Sequence, residues 1–212
     1  MKIILTENQY IKLINEETGG LDSFINQIVT KYPEIEEYRD VLKSNIEKSG
    51  CNNISFEPMS MASGLSLHNR VVISDSLLGK FSYIGNPHGF NISGLMFVIF
   101  HEIAHQHQYN KYSKELIYDM YTGEIEVEGA VKFLKYIENV ADQFSMRKCR
   151  ELQKLGVIPA DQKIVDVGGY DNYTDDMFEN YLNMLKNKIQ KAGVTDPEDI
   201  SEFIYNMIKT KL

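Results

Sequence analysis

Apolar residues recur along this chain at two periods, and the change of period divides it. From Thr6 to Asn15 the apolar side Tyr10, Ile11, Leu13 and Ile14 falls at helical spacing, with Thr6 as a cap and Gly19-Gly20 as a stop. Met1 to Thr6 ahead of it reads as a short strand or extended lead-in. A second short helix fits Asp22 to Thr30, ending before Pro33. A third fits Glu34 to Lys48, on Ile35, Tyr38, Val41, Leu42 and Ile46. After the turn Gly50-Cys51-Asn52-Asn53 the period shortens to that of a strand. Ile54 to Glu57 alternates, and Arg70 to Ser74 is rich in β-branched residues, so both predict strands. Residues 83–91 hold Gly85, Pro87, His88 and Gly89 and predict a loop.

Helical spacing then returns. Ser93 begins a helix that runs to about Lys111. Ser113 to Tyr121 makes a short one, broken by Gly123. Glu124 to Leu155 has no proline and reads as one long helix, ended by Gly156 and Pro159. A glycine-bearing loop, 166–173, precedes a helix capped by Thr174 and running to Ala192. Asp196-Pro197 supplies a cap and a first position for a last helix. The pattern holds no internal repeat, low-complexity tract or linker. It predicts a single α+β domain over residues 1–212, mostly helical with a small β-sheet. Its core spans about 54–155, with an N-terminal helical part, 1–50, and C-terminal helices, 174–210, packed on it.

Composition narrows the function classes. Hydrophobic residues are 43% and charged residues 25% of the 212, which excludes wholesale disorder. The net charge of −8 repels a phosphate backbone, so nucleic acid is not an expected partner. The longest apolar run, Leu95 to Phe100, is far short of the roughly 20 residues a bilayer span needs, so no membrane partner is expected either. Met1 to Leu5 is followed at once by Thr6, Glu7 and Asn8, too short an apolar stretch for a secretory signal, and a cytoplasmic protein is the expectation. Cys51 and Cys149 form no CxxC pair, which excludes a thiolate zinc knuckle and a thioredoxin-like motif and predicts two free thiols.

The chemistry concentrates at His101-Glu102-Ile103-Ala104-His105, an HExxH pattern. Residues four apart share a helix face, so both imidazoles can reach one metal ion, and Glu102, about 100° around, can take a proton from water beside it. Leu95 to Phe100 is apolar on every side of the helix, which marks a buried helix. Burying His101, Glu102 and His105 there is costly unless they are paired or metal-bound, and the plain alternative is two hydrogen-bonded core histidines. A catalytic zinc needs a third protein ligand. HExxHxxGxxH is excluded, because Gln108 and Lys111 stand where it requires glycine and histidine. In the long helix Glu138 interrupts the apolar stripe of Val127, Val131, Leu134, Ile137, Ala141 and Phe144, and Asp142 follows one turn later. Glu138 is therefore the expected third ligand and Asp142 the expected partner for the outer N–H of a ligand histidine. Glu124, Glu126 and Glu128 are rivals, but acids at a helix start suit the dipole and solvent. His107 lies about 160° from His105 around the helix, too far to share the metal, and His68 carries no signal.

His101-Glu102-Ile103-Ala104-His105 followed by Glu138-Asn139-Val140-Ala141-Asp142-Gln143-Phe144-Ser145 resembles the gluzincin side of the zincin metallopeptidases, nearest to the ImmA/IrrE-like branch. The likeness covers about Arg70 to Arg150. The spacing of 33 positions from His105 to Glu138 is a departure, and residues 1–50 and 156–212 match nothing in the family. The opening Met1 to Tyr10 resembles the start of some bacteriophage-encoded proteins, which would place the chain in a host cytoplasm. The resemblance implies one Zn2+ per chain on His101, His105 and Glu138, with Glu102 as general base and Asp142 behind a ligand. It implies peptide-bond hydrolysis of a protein or peptide substrate, under a sheet edge that the strand Arg70–Ser74 would supply. Tyr170, Tyr173 and His88 are the candidate donors to the tetrahedral oxyanion. A non-catalytic zinc-binding accessory or assembly protein is the alternative, and a metal-free helical interaction module a third. The intact Glu102 favours an enzyme, since a structural zinc needs no base and is normally closed by a fourth protein ligand.

Overall fold

The computed structural model describes residues 20–59, 62–67, 69–79, 91–112, 114–164, 174–197 and 199–208. The predicted lead-in and first helix, most of the loop 83–91 and all of the loop 166–173 lie outside them. In chain order the elements are α1 (Gly20–Lys31), a 3-10 turn (Pro33–Tyr38), α2 (Arg39–Lys48), β1 (Ile54–Glu57), β2 (Gly64–Ser66), β3 (Val71–Ser74) and a second 3-10 turn (Asp75–Leu78). Then come α3 (Ile92–Lys111), α4 (Lys114–Thr122), α5 (Val127–Lys154), α6 (Asp175–Ala192) and α7 (Ile200–Ile208). The chain is thus a mostly helical α+β domain with a small mixed sheet, and among the described residues no helix is long and apolar enough to cross a membrane.

The differences from the sequence pattern have local causes. Pro33 opens the third predicted helix as a 3-10 turn, and α geometry starts only at Arg39. The long helix starts at Val127 instead of Glu124. Gly123 takes a left-handed φ of 86°, and the N–H groups of Gly123, Glu124 and Ile125 all turn back to the carbonyl of Asp119, so these residues finish α4. Asp196 and Pro197 sit in a turn before α7, with Asp199 N–H bonded to the Asp196 carbonyl. The caps Asn91, on Gly94 N, and Thr174, on Met177 N, fix the starts of α3 and α6. Cys51 and Cys149 are buried free thiols.

The sheet order is β1-β3-β2, with β1 parallel and β2 antiparallel to β3. This corrects the expected role of the strand at Arg70–Ser74. Val71–Ser74 is the central strand, fully buried, and the edge beside α3 is Gly64–Ser66. Three residues rich in glycine and serine are too short and too polar to register as a strand by periodicity.

Two apolar clusters flank β3. Val71 and Ile73 join α1, α2, the first half of α3 and the last turns of α5. Val72 joins α4, α6, α7 and the first half of α5. Among the described helices only α3 and α5 run past both clusters, and they pack on each other more extensively than any other described pair. Ala141, fully buried, stands on α5 between the two polar positions Glu138 and Asp142 that meet α3. Ala141→Leu should destabilise the protein by about 1–3 kcal/mol, because extra methylenes in a filled contact force the helices apart. Urea unfolding would read this as a lower midpoint, and an unchanged midpoint would show that the contact has room to spare.

Candidate metal centre

From Leu95 to Phe100 α3 is apolar on all sides, so these residues drive it into the core and carry the polar residues behind them inward. His101 and His105 then project from one face, toward α5. Their Nε2 atoms stand 2.9 Å apart. The Glu138 carboxylate lies 3.2 Å from His101 Nε2 and 3.5 Å from His105 Nε2. One ligand atom from each of His101, His105 and Glu138 falls within 4.8 Å of the others, and the group could hold a metal ion.

The outer nitrogens show what the inner ones must be. His101 Nδ1 is 2.9 Å from Asp142 Oδ1, an acceptor, so Nδ1 carries the proton. His105 Nδ1 is 2.7 Å from Gln108 Oε1, and the Gln108 amide donates from Nε2 to the Ile137 carbonyl at 2.8 Å, so Oε1 is the end that faces the ring. In the neutral rings both Nε2 lone pairs therefore point at each other and at a carboxylate. Three electron-rich atoms in this arrangement require a cation, either protons or a metal. Ligand bonds of about 2.0–2.2 Å to a small tetrahedral ion place neighbouring ligand atoms roughly 3.3–3.6 Å apart; the two Glu138 separations lie at or next to that range, and the 2.9 Å between the Nε2 atoms would have to open to reach it.

The electrostatics agree. Burial pulls the His101 pKa down, but hydrogen bonds to Asp142 and Glu138 outweigh it and leave it raised to about 10. Burial also opposes the charge on His105, and Glu138 raises it past the ordinary value. Burial likewise works against Glu138, yet His105 and His101 hold its carboxyl well below the usual range. Raised imidazole pKa values beside a lowered carboxyl mark this as a place that favours positive charge.

Glu102 stands beside this group, buried, and contacts the edge strand. The Ser66 hydroxyl donates to the Glu102 backbone carbonyl and lies 3.3 Å from its Oε2. Gly64 makes the approach possible, since a Cβ there would lie 2.5 Å from Glu102 Cγ. Burial pushes the Glu102 carboxyl above its ordinary value, against the pull of His105 and His101. A carboxylate tuned upward in this way holds a proton more readily than an exposed one.

The structure brings together His101, Glu102, His105, Glu138 and Asp142 as their spacing predicts. Glu124, Glu126 and Glu128 are exposed, and Glu128 pairs with Lys132. His107 turns away from the site to the Ser49 carbonyl, 2.7 Å distant. His88, Tyr170 and Tyr173 lie outside the described residues. Sequence reasoning missed Gln108, whose signal was its place three residues after His105, and the Gly64–Ser66 edge. It also missed Tyr109, Tyr121 and Tyr181, which line the cavity over the site. Comparison of the chain with family models, curated proteins and solved structures returns no match.

Glu138→Ala should weaken zinc binding far more than Glu128→Ala in a chelator competition. Asp142→Ala and Gln108→Ala should each cost about 10–100-fold in affinity, because each removes the partner that fixes a ring. Equal affinities in all four variants would remove the triad from metal binding.

A second expectation concerns pH. The metal-free His101 has a raised pKa, so it binds a proton more tightly folded than unfolded. Its contribution to stability is complete below the unfolded value of about 6.5 and is lost as pH rises through about 10. The melting temperature of the metal-free protein should therefore fall across that window, and His101→Gln should flatten the fall. A flat profile in the parent protein would show that the protons are not held there.

Proposed function

We propose that the chain is a zinc-dependent peptidase of the gluzincin type. The observation that carries the proposal is the convergence of His101, His105 and Glu138 within 4.8 Å, with Glu102 buried at its side. A His2Glu donor set leaves an open coordination position, which suits catalysis better than structure. When bound, zinc supplies Lewis acidity toward a carbonyl and acidifies water at neutral pH.

The residues of the chain do the rest. Asp142 and Gln108 hold the imidazole rings with both Nε2 atoms turned inward. Glu102 takes the proton from the attacking water and delivers it to the leaving amine. Burial favours this, because it lifts the proton affinity of the carboxylate. The edge strand Gly64–Ser66 offers backbone groups to an extended peptide, as sheet edges do. Ser66 and Gly64 tie that edge to Glu102, so the strand that would hold the substrate also positions the base.

The resemblance of the two motifs to the ImmA/IrrE-like branch supports the same reading. The second reading is a zinc-binding accessory protein without catalysis, and Glu102 separates the two. Glu102→Gln keeps the shape of the side chain but cannot accept a proton at neutral pH. Cleavage of an unfolded protein substrate should fall by about 10²–10⁴-fold while zinc content stays constant. Gly64→Ala should lower the rate with zinc retained, since the new methyl group displaces Glu102. A Glu102→Gln protein that cleaves at the parent rate would remove Glu102 from the mechanism, and a zinc-loaded parent that cleaves nothing would favour the accessory reading.

A further inference from the structure

Beside the metal centre lies a cavity of about 480 Å³, lined by His101, Glu102, His105, Gln108 and Glu138. Ile117 and Met120 of α4, Phe133 of α5, Met177, Phe178 and Met184 of α6 and Met207 of α7 line it too. Among the described residues no lysine, arginine or aspartate lines it. α6 and α7 belong to the part of the chain whose role the sequence leaves open, and the chamber gives them one.

We infer that this chamber is a specificity pocket, and that it selects peptides with a bulky apolar side chain next to the bond held at the metal centre. The inference rests on the peptidase reading. A peptide paired with Gly64–Ser66 runs along the strand over Glu102, and its side chains alternate between the faces of the extended sheet. Leu65, Gly64 and Ser66 all line the same cavity as the three metal-binding residues, so a side chain beside the reacting bond enters it. An aliphatic or aromatic side chain gains by leaving water there. A lysine or glutamate side chain would lose its hydration, and a glutamate would also face Glu102 and Glu138. A glycine would leave the chamber unfilled.

The wall composition sets how strict the choice is. Met120, Met177, Met184 and Met207 are unbranched and deformable, so the pocket adapts to several large apolar shapes. Tyr121 and Tyr181 bring phenols into the same space, and burial foremost holds both hydroxyls protonated at neutral pH. They add polar contact without adding charge.

Zinc-loaded full-length protein would be titrated with short peptide hydroxamates that differ only in the side chain next to the hydroxamate. Zinc uptake would be measured first on the same preparation. Leucine, methionine and phenylalanine analogues should bind within a few-fold of one another and at least about tenfold tighter than the glycine, lysine and glutamate analogues. Met184→Trp, which fills the chamber from a partly exposed position, should erase that preference while zinc affinity is unchanged. Met184→Leu should retain it, which separates filling from loss of fold. Zinc uptake with equal binding of all analogues, or with the lysine or glutamate analogue preferred, overturns the pocket and leaves the metal reading intact. A preference that survives Met184→Trp moves selection away from this chamber and overturns it too. A protein that takes up no zinc overturns the metal reading and the pocket with it.

Discussion

α3 and α5 meet along a polar seam laid inside an apolar contact, and the site exists because that seam is in register. Ser145 on α5 donates to the Phe97 carbonyl on α3, one turn before His101, and Asp142 meets His101 itself. Gln108, near the end of α3, reaches the Ile137 carbonyl beside Glu138. The partners ascend on one helix as they descend on the other, so the pair is antiparallel, and Ala141 keeps a side chain out of the way between Glu138 and Asp142. A slip of either helix by one residue would turn His101 and His105 about 100° away from α5. It would leave buried imidazoles and carboxylates without partners, which is among the more costly errors a core can make.

This seam also explains why the fold has two apolar clusters. One cluster buries the first half of α3 and the last turns of α5, and the other buries the first half of α5 under α4, α6 and α7. The polar residues occupy the boundary between them. A polar group placed deep in one cluster would be sealed from solvent, and one placed outside both would be open to water on every side. At the boundary it has packed helices behind it and a chamber in front.

The parts of this arrangement that were legible in the sequence are those set by local periodicity. His101 and His105 share a face because they are four apart, and Glu138 is conspicuous because it breaks an apolar stripe. The C-terminal helices were visible by the same rule, though not what they enclose. Gln108 was visible as a residue but not as a partner, since its second bond goes to a carbonyl 29 positions away. The edge strand was invisible for a related reason. Gly64, Leu65 and Ser66 are a strand only because β3 lies alongside and pairs Leu65 with Val72. Glycine at 64 is explained by Glu102, 38 positions later in sequence, and no window of local pattern contains both.

The charge inventory of the site links fold to function. Glu102, Glu138 and Asp142 crowd two imidazoles in a protein already at −8. The carboxylates raise the pKa values of both imidazoles despite burial, so the site favours positive charge. His101, His105 and Glu138 would hold a divalent cation, which would supply that charge. Glu102 is not among the converging groups. Its own proton affinity is raised chiefly by burial, and that cause remains whichever cation occupies the neighbouring position. The two carboxylates thus sit in opposite electrostatic surroundings. The imidazoles hold Glu138 as an anion, and burial raises the proton affinity of Glu102.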